Sequence, residues 1–195
     1  MPSSQIGQIS KIMELILFTK PQSVLDIGIG FGKYGFLCRE YLELWDGRNQ
    51  YNDWQRRIDG IEVFPNYITP LQKIIYNNIF IGNSLEVLPE IDFIYDLIIL
   101  VDVIEHFDID EGKQLLYECS RKSKAIIIAT PIIASPQGDA FGNPYERHKS
   151  QWTKNHFESF ENKVFIPDNA SLLCYIRFDQ VQTTEAPKPA FAMNT

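Results

Sequence analysis

Residues 24–35 read VLDIGIGFGKYG, an apolar run that ends in an acidic residue and continues with a glycine at every second position. The apolar residues are typical of a strand that is buried on both faces of a parallel sheet. The first three glycines allow the backbone to turn sharply and to approach a ligand closely. A helix is expected to follow from about Lys33 to Trp45. A strand, a tight glycine turn and a helix form the first half of a nucleotide-type site at the carboxyl edge of a doubly wound sheet.

The glycine spacing discriminates between classes of nucleotide site. A dinucleotide fingerprint requires glycine where this chain has Lys33, and a P-loop requires Ser or Thr where it has Tyr34. The pattern that remains, Asp-x-Gly-x-Gly-x-Gly, resembles motif I of the class I S-adenosylmethionine (SAM)-dependent methyltransferases. In that family the glycine loop passes beside the amino acid part of the cofactor, and the acidic residue helps to hold its ammonium group. The resemblance implies SAM contacts from Asp26, Gly28, Gly30, Gly32 and Tyr34. A glycine turn without a ligand is the alternative that this motif alone leaves open.

Two further segments are similar to the same family. RIDGIEVF predicts a second strand over about 58–63, with Glu62 near its carboxyl end. A carboxylate there can accept hydrogen bonds from both ribose hydroxyls, and the resemblance implies this role for Glu62 beside a contact from Val63. IFIGNS predicts a short third strand and a turn, where the family often has Gly-Asp facing the adenine amine. The resemblance therefore implies an adenine contact from Asn83 or Ser84.

The clearest strand by composition lies in YDLIILVDVIEHF, with an apolar core over 97–101. It delivers Asp102, Glu105 and His106 to the same edge of the sheet as the glycine loop. This segment resembles motif IV of the family, which implies a further cofactor contact from Asp102. A fifth strand follows at 124–131 and is stopped by its final proline.

The order of these segments predicts an α/β fold: a single doubly wound, mostly parallel seven-stranded sheet with helices on both faces and a C-terminal antiparallel hairpin. This is the class I methyltransferase fold. The hairpin is predicted from 164–166 and 172–178. Apolar residues at helical spacing over 6–17 predict a leading helix that ends near Lys20-Pro21. Another helix is predicted to start between Pro65 and Pro70 and to run to about Asn77, and a further one runs from Asp110, its predicted N-cap, to Lys122. We expect the leading helix to pack on the sheet or to cover the cofactor.

Residues 1–180 are expected to form one domain, and 181–195 a flexible tail. The connection at 45–57 is longer than usual, and either shapes substrate access or buttresses the sheet edge.

Charge and composition argue against several classes of partner. The 195 residues carry a net charge of −7 and show no basic stripe, which argues against a duplex nucleic acid partner. No apolar stretch reaches the length of a membrane span, and no signal-peptide pattern is visible, so we expect a cytoplasmic protein. The three cysteines are isolated, which favours small buried residues over a disulfide framework or a zinc site.

The loop after the fifth strand contains a second set of candidate residues, in GNPYERHKSQWT. In a doubly wound sheet this loop emerges over the cofactor crevice and can bring His148 near His106. A neutral imidazole can take a proton from a hydroxyl or an amine as it attacks the methyl group. Both histidines are therefore candidate catalytic bases.

A more specific hypothesis is that some of these residues bind a metal ion. Asp102, Glu105, His106 and His148 resemble the metal-binding constellation of the small-RNA 3′-terminal 2′-O-methyltransferases, and such mixed ligands suit magnesium, manganese or iron. The chain departs from that family because it has Asp102 in place of a longer Glu, lacks the extra histidines beside His148 and carries no basic surface. A divalent metal is thus less favoured than SAM alone. A metal-free base and a purely structural His106 are the alternatives.

We therefore predict an enzyme that transfers a methyl group from SAM to an oxygen or nitrogen atom of a small-molecule acceptor. The alternatives are a non-catalytic or regulatory SAM-binding module and a metal-assisted enzyme similar to the 2′-O-methyltransferases. The sequence does not predict the acceptor, the choice between oxygen and nitrogen, or the oligomeric state.

Overall fold

A computed structural model describes residues 5–44, 50, 53–133 and 136–178. The predicted tail at 181–195 lies outside these residues, as does part of the long connection at 45–57.

Seven strands form one sheet in the order β3-β2-β1-β4-β5-β7-β6. They are β1 (Ser23–Ile27), β2 (Arg57–Glu62), β3 (Asn78–Ile81), β4 (Leu97–Val101), β5 (Ala125–Pro131), β6 (Lys163–Ile166) and β7 (Ser171–Arg177). The first five strands are parallel, whereas β7 is antiparallel to both β5 and β6. The predicted seven-stranded sheet and its C-terminal hairpin are therefore confirmed.

The strands at the centre of the sheet are the most deeply buried. Every residue of β1 and β4 is buried, as expected for strands covered on both faces. In the register of the sheet Ile27 is opposite Ile61 of β2 and Leu100 of β4. The carboxyl ends of these three strands therefore meet at one edge.

Five α-helices connect the strands: α1 (Ile9–Thr19), α2 (Lys33–Glu43), α3 (Pro70–Ile75), α4 (Ser84–Glu90) and α5 (Ile109–Lys122). Apolar residues of α1, α2 and α3 pack against one face of the sheet, and those of α4 and α5 against the other. Helices on both faces were predicted and are confirmed. In the described part of the chain, no helix has the length and apolar character needed to cross a membrane.

Three details of the helices differ from the prediction. Helix α4 was not predicted from the sequence: it begins at Ser84, where the predicted turn ends, and Asn83 caps it by accepting a hydrogen bond from the Leu85 N–H. Helix α3 ends two residues earlier than predicted, at Ile75. The N-cap of α5 is Asp108 rather than Asp110. The Asp108 carboxylate accepts the N–H groups of Asp110 and Glu111, which places Asp110 in the first turn.

Candidate active site

A large cavity opens at the edge where the parallel strands end. Its volume is about 920 Å³, near the upper end of the range of about 300–1,000 Å³ for small-molecule sites. The cofactor residues predicted from sequence all line it: Asp26, Gly28, Gly30, Gly32, Tyr34, Glu62, Val63, Asn83, Ser84 and Asp102. Of the two candidate bases, His106 lines the cavity, whereas His148 lies behind it.

The glycine loop depends on backbone conformations that side chains disfavour. Gly28, Gly30 and Gly32 have φ of +74°, +48° and +85°. A Cβ on Gly28 would lie 2.4 Å from the Val103 side chain, so glycine also permits close packing against the segment after β4. The loop ends at Gly32, the N-cap of α2.

Side chains around α3 brace the glycine loop. The Gln72 Nε2 group donates to the Gly30 carbonyl and to the Tyr67 carbonyl, each at 2.8 Å. The Tyr76 hydroxyl donates to the Asp26 carboxylate at 2.6 Å, and its ring occupies the space that a Cβ on Gly35 would need. Neither Gln72 nor Tyr76 is predicted from the sequence as a site residue. These contacts hold the loop in a fixed position between β1 and α3.

Asp26 lies at the bottom of the cavity and is almost completely buried. Desolvation by burial raises its pKa to about 7, while the hydrogen bond from Tyr76 acts in the opposite direction. A cationic group nearby would stabilise the ionised form, because opposite charges favour ionisation. This environment fits the ammonium-binding role that the resemblance implies.

Glu62 occupies the end of β2 and links two backbone segments. Its Oε2 atom accepts the Gly30 N–H at 2.9 Å, and its Oε1 atom accepts the Phe64 N–H at 2.9 Å. A carboxylate has about four lone-pair sites, so both oxygens retain the capacity to accept hydroxyl groups. Burial raises the pKa of Glu62. Further along the same edge, Asn83 and Ser84 line the cavity at the start of α4.

The segment after β4 brings together a carboxylate and two imidazoles. Ligating atoms of Glu105, His106 and His148 lie within 4.8 Å of one another. The rings of His106 and His148 meet edge to face, with centroids 5.1 Å apart. The predicted proximity of the two histidines is therefore seen. Asp102, the fourth residue proposed as a metal ligand, is not a member of this group.

The contacts of His106 determine which of its ring nitrogens carries the proton. Its Nδ1 atom lies 3.2 Å from the Arg147 carbonyl oxygen, a contact that requires a proton on Nδ1. Nε2 is then the unprotonated nitrogen. Burial lowers the pKa of His106, so the ring is neutral at pH 7.

Glu105 anchors the loop that carries His148. Its carbonyl oxygen accepts the N–H groups of Lys149 and Ser150, and its Oε2 accepts the Thr130 hydroxyl at 3.0 Å. The side chain is only 2% exposed. Burial, followed by the nearby Asp102 charge, raises the Glu105 pKa to about 8. Without a cation beside it, Glu105 is mostly protonated at pH 7.

We expect Glu105 to make the folded protein less stable as the pH rises. Its pKa is about 8 in the folded state against 4.5 ordinarily, so between these values the folded state binds more protons than the unfolded state. The free energy of unfolding therefore falls across this window, by at most about 1.4 kcal/mol per pH unit for one proton. Urea unfolding from pH 4.5 to 8 should show a shallower fall for Glu105→Gln than for the unmodified protein. Equal slopes would contradict the assigned pKa, because the other titrating groups are common to both proteins.

One wall of the cavity connects two loops. The Tyr67 hydroxyl donates to the Glu146 carboxylate at 2.9 Å, linking the segment after β2 to the loop after β5. Exposed apolar side chains surround the mouth of the cavity, namely Phe31, Leu71, Phe141 and Tyr145. Trp152, by contrast, is buried in the core. Large exposed apolar groups around a cavity are typical of a ligand entrance.

Comparison with known proteins identifies the fold of the chain. No family model matches the chain, and no curated protein matches it. Among solved structures, a SAM-dependent methyltransferase from Archaeoglobus fulgidus is 17% identical with a TM-score of 0.61, over 86% of this chain and 91% of that chain. The N-terminal domain of EvdMO1, crystallised in the presence of S-adenosylhomocysteine (SAH) and D-fucose, is 12% identical with a TM-score of 0.63, over 90% and 84%.

A third solved structure, the bifunctional kinase-methyltransferase WbdD, is 16% identical with a TM-score of 0.61. The match covers 90% of this chain but only 40% of the WbdD chain. At such low identities the likeness establishes the fold. The class I methyltransferase fold predicted from the sequence is therefore confirmed.

Proposed function

We propose that this chain is a SAM-dependent methyltransferase that transfers a methyl group to an oxygen or nitrogen atom of a small-molecule acceptor. The observation that carries the proposal is the order of groups along one cavity. Asn83 lies at the start of α4, Glu62 at the end of β2, the glycine loop after β1, and His106 beyond β4. This order matches adenine, ribose, amino acid and acceptor along an extended nucleoside cofactor.

The chemistry requires alignment and one proton acceptor. The methyl group of SAM is activated by the positive sulfur, so the main task is to hold nucleophile, methyl carbon and sulfur in a line. Such positioning contributes several kcal/mol to barrier reduction. A bound SAM would supply the methyl group and would leave as SAH, which keeps the electron pair of the broken bond on sulfur, while His106 Nε2 would accept the proton of the attacking acceptor. The rigid backing of the glycine loop by Gln72 and Tyr76 supports the alignment.

The exposed rings of Phe141 and Tyr145 at the mouth of the cavity suit an acceptor with an apolar face. The EvdMO1 domain was crystallised in the presence of D-fucose, and sugar rings combine apolar faces with hydroxyl groups. Hydroxylated sugars and phenols therefore form the first acceptor panel, and amines the second. We also propose, from the sequence alone, that the protein is cytoplasmic and that it does not bind duplex nucleic acid.

The proposal is tested directly by incubating the protein with SAM and each acceptor class. The formation of SAH and of a product one methyl group heavier is then measured. Methyl transfer to one acceptor is the expected result. SAM binding with no SAH formation across the panel would favour the alternative of a non-catalytic or regulatory SAM-binding module.

One observation favours a second candidate, metal-assisted methyl transfer to a hydroxyl. Glu105, His106 and His148 offer one carboxylate and two imidazoles, a donor set that suits manganese or iron. The buried Glu105 Oε1 atom has no hydrogen-bond partner in the described ranges. A bound metal would lower the pKa of an acceptor hydroxyl. Manganese titration of the metal-stripped protein, compared with His148→Ala, tests this candidate, and metal binding that survives the substitution would exclude this ligand set.

A further inference from the structure

We propose that Lys149 binds an anionic group of the acceptor, a carboxylate or a phosphate, and so holds the hydroxyl or amine of the same molecule beside His106. The inference deepens the proposed function and rests on it, because it assumes that methyl transfer takes place in this cavity. It narrows the acceptor to a compound that carries both a nucleophile and a negative charge. Lys149 is not predicted from the sequence as a site residue.

The order of strands separates the cofactor end of the cavity from its acceptor end. In the proposed function, Glu62 and Asn83 hold the nucleoside after β2 and β3, and the glycine loop follows β1. Strand β4 pairs with β1 on the other side, and it is followed by His106 and then by Glu111 in the first turn of α5. Cavity-lining residues beyond His106 are therefore available to the acceptor rather than to the cofactor.

Backbone hydrogen bonding fixes Lys149 at the acceptor end. Its N–H donates to the Glu105 carbonyl at 2.8 Å, so it lies alongside the residue that precedes His106. The preceding residue, His148, packs its ring behind His106, whereas the side chain of Lys149 lines the cavity. The Lys149 side chain therefore extends from a fixed point next to the candidate base.

The Lys149 ammonium group is only weakly engaged by the protein. It lies 3.6 Å from the Glu111 Oε2 atom, which makes an ion pair but is too long for a hydrogen bond. That Oε2 atom already accepts the Asp108 N–H at 3.1 Å, as part of the cap of α5. Within the described ranges the ammonium group makes no other polar contact. Its three N–H groups can therefore donate to an oxygen anion in the cavity.

The other charged groups near this end leave it open to an anion. Glu105 is mostly protonated at pH 7, because its pKa is raised to about 8. The Glu146 carboxylate accepts the Tyr67 hydroxyl, which belongs to the segment after β2. The second lysine of the cavity lining, Lys33, begins α2 within electrostatic reach of Asp102. A bound SAM would add the positive charge of its sulfonium, which attracts an anion at close range.

The mouth of the cavity indicates the body of such an acceptor. The exposed rings of Phe141 and Tyr145 suit an apolar or ring-shaped group. Aromatic hydroxy acids and sugar phosphates both place a ring between a hydroxyl group and an anion. The two classes share the chemistry that Lys149 would recognise, and they differ in whether the anion is a carboxylate or a phosphate.

Matched pairs of probes test the subsite by calorimetry on the SAH-loaded protein. The pairs are 4-hydroxybenzoate with 4-hydroxybenzamide, and glucose 6-phosphate with glucose, and the pair that responds identifies the anion. We expect the anionic member to bind at least about fivefold more tightly, the effect of a charge-assisted hydrogen bond at a partly exposed lysine. Lys149→Met should remove this preference, and Lys149→Arg should retain it. Glu111→Gln should strengthen it, because it removes the competing charge and keeps the cap.

The control is Lys113→Met, an exposed lysine of α5 that is not among the residues lining the cavity. This variant should keep the preference for the anion. SAH binding without such a preference, or a preference that survives Lys149→Met, would overturn the subsite while leaving the proposed function intact. Failure of all four probes to bind beside SAH would likewise overturn it. An unmodified protein that does not bind SAH would overturn the proposed function itself.

Discussion

Replacing Gly30 with valine is expected to abolish useful SAM affinity while leaving the sheet folded. The Gly30 N–H is held by Glu62 and its carbonyl by Gln72, so the loop cannot withdraw to accommodate a side chain. Its φ of +48° also disfavours a β-branched residue. Gly30 lines the cavity, so we expect a branched side chain there to take up space that the cofactor needs. We expect the SAM dissociation constant to rise at least about 100-fold, or ~2.7 kcal/mol, in calorimetry.

A matched control separates lost cofactor space from backbone strain. Gly142 also has a positive φ, of +72°, and an added Cβ there would meet no atom within 4 Å. Gly142→Val should therefore carry similar strain without loss of SAM affinity. Circular dichroism and thermal melting establish folding of both variants. A folded Gly30→Val protein with normal SAM affinity would refute the placement of the cofactor beside the glycine loop.

Changing His106 to asparagine is expected to lower turnover by about 10²–10⁴-fold, the usual contribution of a general base. The asparagine amide can still donate to the Arg147 carbonyl, which His106 now contacts through Nδ1. The variant therefore removes the base and keeps the support of the loop. SAM affinity should change little. With the acceptor found by screening, SAH formation in the unmodified protein should rise with pH to a plateau. Because burial lowers the pKa of His106, the midpoint should lie below the ordinary histidine value of about 6.5.

His148→Ala provides the comparison for His106. His148 packs behind His106 rather than lining the cavity, so its loss should reduce turnover less and should preserve SAM binding. Full activity of His106→Asn would leave His106 with a purely structural role. A larger loss from His148→Ala than from His106→Asn would reverse the assignment of the base.

The elements that the sequence predicts best are those whose signal is local. Strand β4 is a continuous apolar run, β1 is apolar apart from Ser23 and Asp26, and the glycine pattern of 28–32 specifies its own backbone conformation. The acidic residues at the strand ends follow from the same argument, because parallel strands deliver their carboxyl ends to one edge. The N-cap of α5 could also have been predicted from the sequence, because Asp108 and Glu111 have the spacing of a capping box.

The residues that the sequence does not predict act through distant contacts. Tyr76 meets Asp26 across 50 positions, and Gln8 meets Asp102 across 94. Each stands in a helix or at its end, where nothing in the local pattern distinguishes it from an ordinary packing residue. Helix α4 is short and contains Pro89, which weakens its helical signal. Tertiary structure is needed to place such residues.

The most direct measurement is calorimetric titration of SAM into the metal-stripped protein, repeated with manganese. We predict micromolar binding of one SAM per chain that does not depend on the metal, with competition by SAH. Binding of SAM that appears only with manganese would instead favour the metal-assisted candidate at Glu105, His106 and His148. No SAM binding under either condition would contradict the assignment of this cavity as a SAM site.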